Sequence, residues 1–190
     1  TISMVYQNPE EMFIKDSIRK DIEYAMMVRK VEDYQKRTDE LLEMFRLTDL
    51  QDRDGRLLSG GQMRRASLAI GIALQPEILL LDEPTANLDI ATRREIMKTL
   101  QMLKGITDTV VIATHDMQLV CDWAERLIVL SAGYVIADGT KEEIFADMYV
   151  RQQVGIRPPQ ICDMGRALGI ENPCFTIDEF MEYFRGEKYA

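Results

Sequence analysis

The apolar run at residues 78–81 ends in two acids and a proline, giving the sequence ILLLDEP. Continuous apolar runs of this kind are typical of a strand buried on both faces, as in a parallel sheet covered by helices. TVVIAT at 109–114 predicts a second buried strand. Residues 90–103 between them have the spacing of an amphipathic helix, which Asp89 is placed to cap. Alternating strands and helices predict an α/β fold with a mainly parallel sheet.

Further elements surround this pair of strands. TISMVYQ at the start of the chain alternates like a strand, and residues 15–47 have helical apolar spacing. The segment 126–139 predicts two strands joined at Ala132-Gly133. Pro158-Pro159 predicts the start of a helix that runs through Leu168. Capping boxes predict two more short helices, at Thr140 with Glu143 and at Thr176 with Glu179.

Composition limits the classes of function. A formal net charge of -9 argues against broad nucleic-acid binding, which needs a basic surface. No apolar run is long enough to cross a bilayer, and no secretory signal stands at the N-terminus. The three cysteines lack metal-ligand spacing and are predicted to be free thiols in a reducing compartment.

The sequence LSGGQ at 58–62 precedes an apolar helical pattern that ends at Pro76. Ser59 and Gln62 have the spacing of a capping box, with two glycines between them. A helix N-terminus offers free backbone N–H groups and a partial positive charge, which suit an anion. Gly60 and Gly61 carry no side chain that would keep a phosphate away. A capped turn without a ligand is the alternative interpretation.

Polar residues follow three of the predicted strands. Asp82 and Glu83 end the strand at 78–81, Gln7 ends the first strand, and His115 follows the strand at 109–114. Open α/β sheets bind ligands at the carboxyl ends of their strands. A carboxylate there can hold Mg²⁺ on nucleotide phosphates, and a second one can polarise water. The alternative is that the acids only end a strand and the single histidine is structural.

Taken together, these motifs resemble the ATP-binding cassette (ABC) ATPase family over residues 1 to about 147. The resemblance implies a partial P-loop NTPase (RecA-like) core with an inserted helical subdomain. It gives Glu83 the role of catalytic base and His115 that of switch histidine, and it makes TANLD at 85–89, which ends in Asp89, the D-loop. Asp82 and Gln7 would bind Mg²⁺. Nucleotide-binding residues would be Gln7, Ser59, Gly60, Gly61, Gln62 and Asp89.

Two further stretches are similar to the energy-coupling-factor ATPases, which power uptake of vitamins or of cobalt and nickel ions. YQNPEEMF at 6–13 with SIRKDIEYA at 17–25 resembles their Q-loop region, and RPPQICDMGRALG at 157–169 their C-terminal extension. The resemblance implies ATP and Mg²⁺ as cofactors, a head-to-tail ATPase dimer and integral membrane partners. It places the chain on the cytoplasmic face of the membrane, as a peripheral subunit without nucleic-acid binding.

The predicted division of the chain has three parts. Residues 1–13 and 76–147 would form the partial RecA-like core, 14–75 the helical signature subdomain and 148–190 a small C-terminal helical extension.

The chain starts at Thr1 and none of its 11 glycines precedes a lysine, so the family's phosphate loop, G-x-x-x-x-G-K-S/T, is absent from it. We therefore expect a truncated ATPase that binds ATP weakly or not at all. A second hypothesis is a degenerate, non-catalytic subunit that lends its signature motif to a partner's site. A soluble cassette protein acting on DNA or ribosomes is disfavoured by the acidic charge.

Overall fold

The computed structural model describes residues 1–170 and 173–187. It has the predicted α/β architecture with a parallel sheet. Contacts divide the chain into two compact units, Thr1–His115 and Asp116–Ala190. The three-part division into core, signature subdomain and extension stays a prediction.

The first unit contains a three-stranded sheet and four α-helices. In chain order, its strands and α-helices are β1 (Ile2–Val5), α1 (Ile18–Val28), α2 (Tyr34–Met44), α3 (Gly60–Ile72), β2 (Ile78–Asp82), α4 (Ile90–Leu103) and β3 (Thr109–Ala113). Short 3-10 helices lie at Pro9–Met12, Thr48–Leu50 and Gly55–Leu57. Residues 51–54, between the second and third of these 3-10 helices, contain a turn at 51–52 and a bend at 53.

The sheet has the order β1-β2-β3, and all its strands are parallel. Val5 pairs with Leu81 across β1 and β2, and Asp82 pairs with Ala113 across β2 and β3. The register therefore brings the carboxyl ends of all three strands to one edge of the sheet.

Helix α3 covers one face of this sheet. Its Gly71 lies against Val5 of β1, because a Cβ added there would stand 2.5 Å from Val5 Cγ2 and 3.5 Å from Leu79 Cδ1. Leu79 and Leu81 of β2 are fully buried on the same face. Away from the sheet, a separate set of fully buried side chains comes from the segment around α1 and α2: Ile18, Ile22, Met26, Leu42, Phe45 and Leu47.

The prediction of a doubly buried strand at 109–114 is wrong for β3. Thr109, Val111 and Ala113 are exposed, and the side chains between them are only half-buried. The physical reason is that β3 lies at the edge of the sheet. Among the described residues it pairs with β2 alone, and the face that carries Thr109, Val111 and Ala113 is left exposed. In β2 the predicted burial holds for one face, whereas Ile78 and Leu80 on the other are half-buried.

In the described part of the second unit, the chain forms a β-hairpin and five helices. These elements are α5 (Met117–Trp123), β4 (Leu127–Ser131), β5 (Tyr134–Gly139), α6 (Lys141–Ala146), α7 (Met148–Val154), α8 (Gln160–Ala167) and α9 (Ile177–Glu187). The predicted hairpin is confirmed, with Ala132 at φ 49° and Gly133 at φ 83° in its turn. Positive φ at both central residues matches the twist of a two-residue hairpin.

Both predicted capping boxes of this unit are present. Thr140 and Glu143 bond reciprocally at the start of α6, and Thr176 and Glu179 do so at the start of α9. The sequence did not predict α5 or α7. Pro159 is the N-cap of α8 rather than its first helical residue.

The cysteines are free, as predicted, and all three are also buried. Cys121 and Cys162 lie in one apolar cluster with Phe145 and Phe175. Burial raises the pKa of Cys121 to about 12 and that of Cys162 to about 11, so both are neutral thiols at physiological pH.

Candidate functional site

Four of the predicted site residues lie at the carboxyl edge of the parallel sheet. Asp82 ends β2 and Glu83 follows it, while Gln7 comes two residues after β1 and His115 two residues after β3. Gln7 and His115 are exposed, and the two acids are half-buried. The common edge expected from the strand ends is therefore present.

The Glu83 carboxylate is held by the segment that follows β3. Its Oε2 accepts a hydrogen bond from Thr114 Oγ1 at 2.8 Å, and its Oε1 accepts one from the His115 backbone N–H at 3.0 Å. The His115 ring Nδ1 lies 2.5 Å from the same Oε1. The His115 side chain is 88% exposed and that of Glu83 only 17%. The ring is thus anchored at one nitrogen and otherwise open to solvent.

The backbone at Glu83 is unusual. Its φ is 42°, in the left-handed region that residues with a Cβ adopt rarely. The Glu83 N–H donates to Ala113 O at 2.9 Å, and the Glu83 carbonyl accepts from Ala86 N–H at 3.1 Å. These bonds hold Glu83 in a conformation that costs about 1–3 kcal/mol of backbone strain. In other proteins, residues strained in this way are concentrated at functional sites.

LSGGQ begins α3 as predicted. Ser59 and Gln62 form the capping box, in which the Ser59 N–H donates to Gln62 Oε1 at 3.1 Å. Ser59 and Gly60 are exposed, and a Cβ added at Gly60 would meet no atom within 4 Å. The first turn of α3 is therefore open to a ligand at Gly60.

Close packing against α4 explains why position 61 is a glycine, and the sequence alone did not reveal this contact. A Cβ added there would stand 2.5 Å from Thr92 Cγ2, on helix α4. Thr92 is fixed in turn, because its Oγ1 donates to Asp89 Oδ2 at 2.6 Å. The glycine thus allows α3, the signature helix that begins with LSGGQ, and α4, which follows the segment 85–89, to approach closely.

Asp89 is the predicted cap of α4, and the structure confirms this. Its Oδ1 accepts hydrogen bonds from the backbone N–H groups of Ala91 and Thr92 at 2.9 and 3.0 Å. The hydrogen bonds from Thr92, and then that from Ala91, hold the pKa of the Asp89 carboxyl below its usual value. Asp89 is therefore ionised and oriented by the helix that it caps.

Gly61→Ala is expected to destabilise the chain by about 1–2 kcal/mol, because the added methyl group collides with Thr92 Cγ2. Thr92→Ser removes that methyl group and keeps the hydroxyl bonded to Asp89. We expect the double variant to recover most of the lost stability. The measurement is a double-mutant cycle by urea unfolding. Equal costs of Gly61→Ala in the two backgrounds would contradict this contact.

Arg64 on α3 is buried although it carries a charge. It is 3% exposed, and its guanidinium donates to the backbone carbonyls of Tyr6 at 3.0 Å and Gln7 at 2.7 Å. Burial lowers the pKa of Arg64, and attraction to Asp82 acts in the opposite direction. The neighbouring Arg65 pairs with Glu95 at 2.9 Å. Arg65 therefore has an ion pair, whereas Arg64 is hydrogen-bonded to backbone carbonyls.

The donor set at the sheet edge suits Mg²⁺ bound to phosphates. No group of three or more His, Cys, Asp or Glu side chains that could enclose a metal occurs in residues 1–170 and 173–187. Mg²⁺ commonly uses one or two carboxylates and takes its remaining ligands from phosphates and water. Asp82 can supply a carboxylate oxygen and Gln7 an amide oxygen, so these residues fit the ion.

Comparison with known proteins decides the family. The model of the ABC transporter family matches residues 1–86. An ABC transporter ATP-binding protein of Methanopyrus kandleri is 34% identical over 95% of this chain, which covers 69% of that relative. The chain belongs to the ABC transporter ATP-binding proteins. This confirms the resemblance read from LSGGQ and ILLLDEP.

Two further relatives of this ABC ATPase chain support a narrower group. The energy-coupling factor transporter ATP-binding protein EcfA1 of Caldanaerobacter subterraneus is 35% identical over 96% of the chain and 69% of the relative. The solved structure of cbiO1 from Clostridium perfringens, described as part of the transporter complex cbiONQ, has a TM-score of 0.69 at 33% identity. That match covers 89% of this chain and 67% of the solved one.

From the sequence alone, three residues whose contacts shape the site of this ABC ATPase were assigned no role in it. Thr114 holds Glu83, Thr92 meets Gly61, and Arg64 holds the Gln7 backbone. Thr114 stands beside His115 in ATHD, so its place at the strand end was a usable signal. Arg64 lies one helical turn after Gly60, but its pairing with a segment 57 residues away leaves no local sequence pattern.

Proposed function

We propose that this chain supplies the catalytic acid, switch histidine and signature motif of an ATPase subunit that drives an uptake transporter. The arrangement that supports this most directly is the Glu83 carboxylate, held by Thr114 and His115 beside Asp82 at the carboxyl edge of the sheet. A carboxylate and an exposed imidazole at that edge suit phosphoryl transfer to water, in which positioning and charge stabilisation dominate.

In this proposal each residue has a separate task. Glu83 accepts a proton from the attacking water as general base, and its attachment to β3 keeps the carboxylate in place. His115 Nδ1 interacts with Glu83, which leaves the far side of the ring for the terminal phosphate. Asp82 and Gln7 would hold Mg²⁺, which when bound would neutralise charge on the phosphate oxygens. Ser59 and Gly60 present the N-terminus of α3 to a nucleotide held by the facing subunit.

The transport role rests on the relatives. One is described as an energy-coupling factor transporter ATP-binding protein and one as part of cbiONQ. We infer that this chain acts with a second ABC ATPase subunit and integral membrane subunits in uptake of a vitamin or metal ion. By the same likeness, we infer a peripheral subunit on the cytoplasmic face of the membrane. Among the described residues no helix is long and apolar enough to cross a bilayer.

The 190-residue chain alone is expected to bind Mg-ATP weakly, with no saturable stoichiometric binding at micromolar concentrations. The reason is that the residues present offer a carboxylate, an amide and a histidine, but no phosphate loop with its backbone amides and lysine. Isothermal titration calorimetry measures this directly. Stoichiometric binding with a micromolar Kd would contradict it.

A second candidate function is donation of the signature alone to a complete partner. The observation that favours it is the open first turn of α3, where Gly60 has free space. The two candidates differ in their need for Glu83. A chain that only donates its signature should raise the hydrolysis of a P-loop-bearing partner equally well with Glu83→Gln. A catalytic subunit completed with the family's phosphate loop should lose turnover with the same substitution.

A further inference from the structure

We propose that Arg64 is a positioning residue that fastens the Gln7 segment to the signature helix, so that the two move as one body. The functional consequence of this joint rests on the proposed function, in which Ser59 and Gly60 bind nucleotide and Gln7 binds Mg²⁺. The joint itself consists of contacts within the first unit and is independent of nucleotide.

The first step is the geometry of the two hydrogen bonds. Nη1 of Arg64 donates to Tyr6 O at 3.0 Å and Nη2 donates to Gln7 O at 2.7 Å. Two consecutive carbonyls are thus bound by two nitrogens of one planar group. A guanidinium presents its donors in a rigid fork, whereas a lysine ammonium is a point charge. The spacing of the two carbonyls selects arginine.

The second step is the position of those carbonyls in the chain. Strand β1 ends at Val5, so Tyr6 and Gln7 have left the ladder that pairs β1 with β2. Their carbonyls receive hydrogen bonds from the signature helix instead. Gln7 itself is exposed to solvent. Arg64 therefore fixes the main chain of Gln7 and leaves its amide group available.

The third step is the cost of keeping Arg64 in this place. The residue is 3% exposed, and its Nε has no hydrogen-bond partner in the described part of the chain. Its two bonds go to neutral carbonyls, and the charge that attracts it is that of Asp82. Burial of a cation without a close ion pair is costly, and apolar replacements at such sites are often no less stable. Stability alone does not account for an arginine here.

The fourth step is the mechanical consequence. Arg64 is one turn after Gly60 in a continuous helix of 13 residues. A displacement of the first turn of α3 therefore carries Arg64, and with it the backbone of Gln7. A nucleotide at Ser59 and Gly60 would in this way move the residue that we assign to Mg²⁺ at the sheet edge.

The joint is tested in the 190-residue chain by hydrogen–deuterium exchange of residues 6–13. Arg64→Met removes the charge and both donors at similar length, and Arg65→Met is the matched control on the same helix. We expect exchange in this segment to rise at least about tenfold in Arg64→Met, because hydrogen bonds to a charged donor are lost, and to stay unchanged in Arg65→Met. Equal exchange in both variants would overturn the joint. So would a uniform rise over the whole chain, which would make Arg64 a general stabilising residue.

A second variant covers the case in which Arg64→Met fails to fold. Arg64→Lys keeps the charge but not the fork, so it should loosen residues 6–13 to a smaller extent with the rest of the chain protected. Unchanged exchange in a folded Arg64→Lys would then overturn the role assigned to the fork.

The coupling is tested separately, in the subunit completed with a phosphate loop. Arg64→Met should raise the KM for Mg-ATP about tenfold, with a smaller change in kcat, because Glu83 and His115 keep their contacts. An unchanged KM beside a loosened segment would overturn the coupling and leave the joint standing. Failure of the proposed function itself would appear elsewhere, as normal turnover in Glu83→Gln.

Discussion

Glu83→Gln is expected to lower ATP hydrolysis about 100- to 10,000-fold in the subunit completed with a phosphate loop. A glutamine at this position can still accept the hydrogen bond from the His115 backbone N–H through its amide oxygen, and its amide NH2 can donate to Thr114 Oγ1, so the local structure should persist. What it cannot do is take a proton from water. The loss should therefore fall on kcat, with ATP binding retained.

The same variant should accumulate a closed head-to-tail dimer in Mg-ATP, because bound nucleotide is no longer consumed. Light scattering in Mg-ATP and in Mg-ADP measures this accumulation. The matched control is Glu77→Gln, which changes the same residue type at the amino end of the same strand, away from the site edge. Normal turnover in Glu83→Gln would remove Glu83 from the mechanism.

Gly71→Val is expected to destabilise the chain by about 3 kcal/mol, the largest effect on stability that we predict. A Cβ at this position would already stand 2.5 Å from Val5 Cγ2 and 3.5 Å from Leu79 Cδ1. Both neighbours belong to strands of the sheet, so they have little freedom to yield. The helix would have to move away from β1, which would open the buried contact between α3 and the sheet.

The control for this prediction is another glycine of the same helix. Gly60→Ala places a methyl group where no atom lies within 4 Å, so its effect on stability should stay within about 0.5 kcal/mol. Urea unfolding followed by circular dichroism measures both variants. Similar midpoints for the two would mean that α3 does not pack on β1 as described.

The sequence was sufficient for elements whose signals are local. The helix at 90–103 and its Asp89 cap, the hairpin turn at Ala132-Gly133 and the box of Thr140 with Glu143 all depend on residues within a few positions of each other. The site edge was predictable for a related reason. Polar residues directly after apolar runs must gather at one edge once the strands are parallel.

Features that depend on distant partners were not accessible in the same way. The burial of β3 was overestimated because an apolar run does not reveal whether its strand lies inside the sheet or at its edge. The contacts of Arg64 with Tyr6 and Gln7 join segments 57 and 58 residues apart. The space that Gly61 leaves for Thr92 is likewise a property of two helices in contact.

The left-handed backbone of Glu83 has a consequence for engineering. At φ 42° a glycine or asparagine would relieve strain that a glutamate must bear. Selection of this chain for heat resistance alone would therefore favour loss of the carboxylate, and under the proposed role of Glu83 as general base such variants would lose turnover. If Glu83 has the proposed role, thermal robustness and turnover oppose each other at this residue, and variant libraries aimed at stability should leave it unchanged.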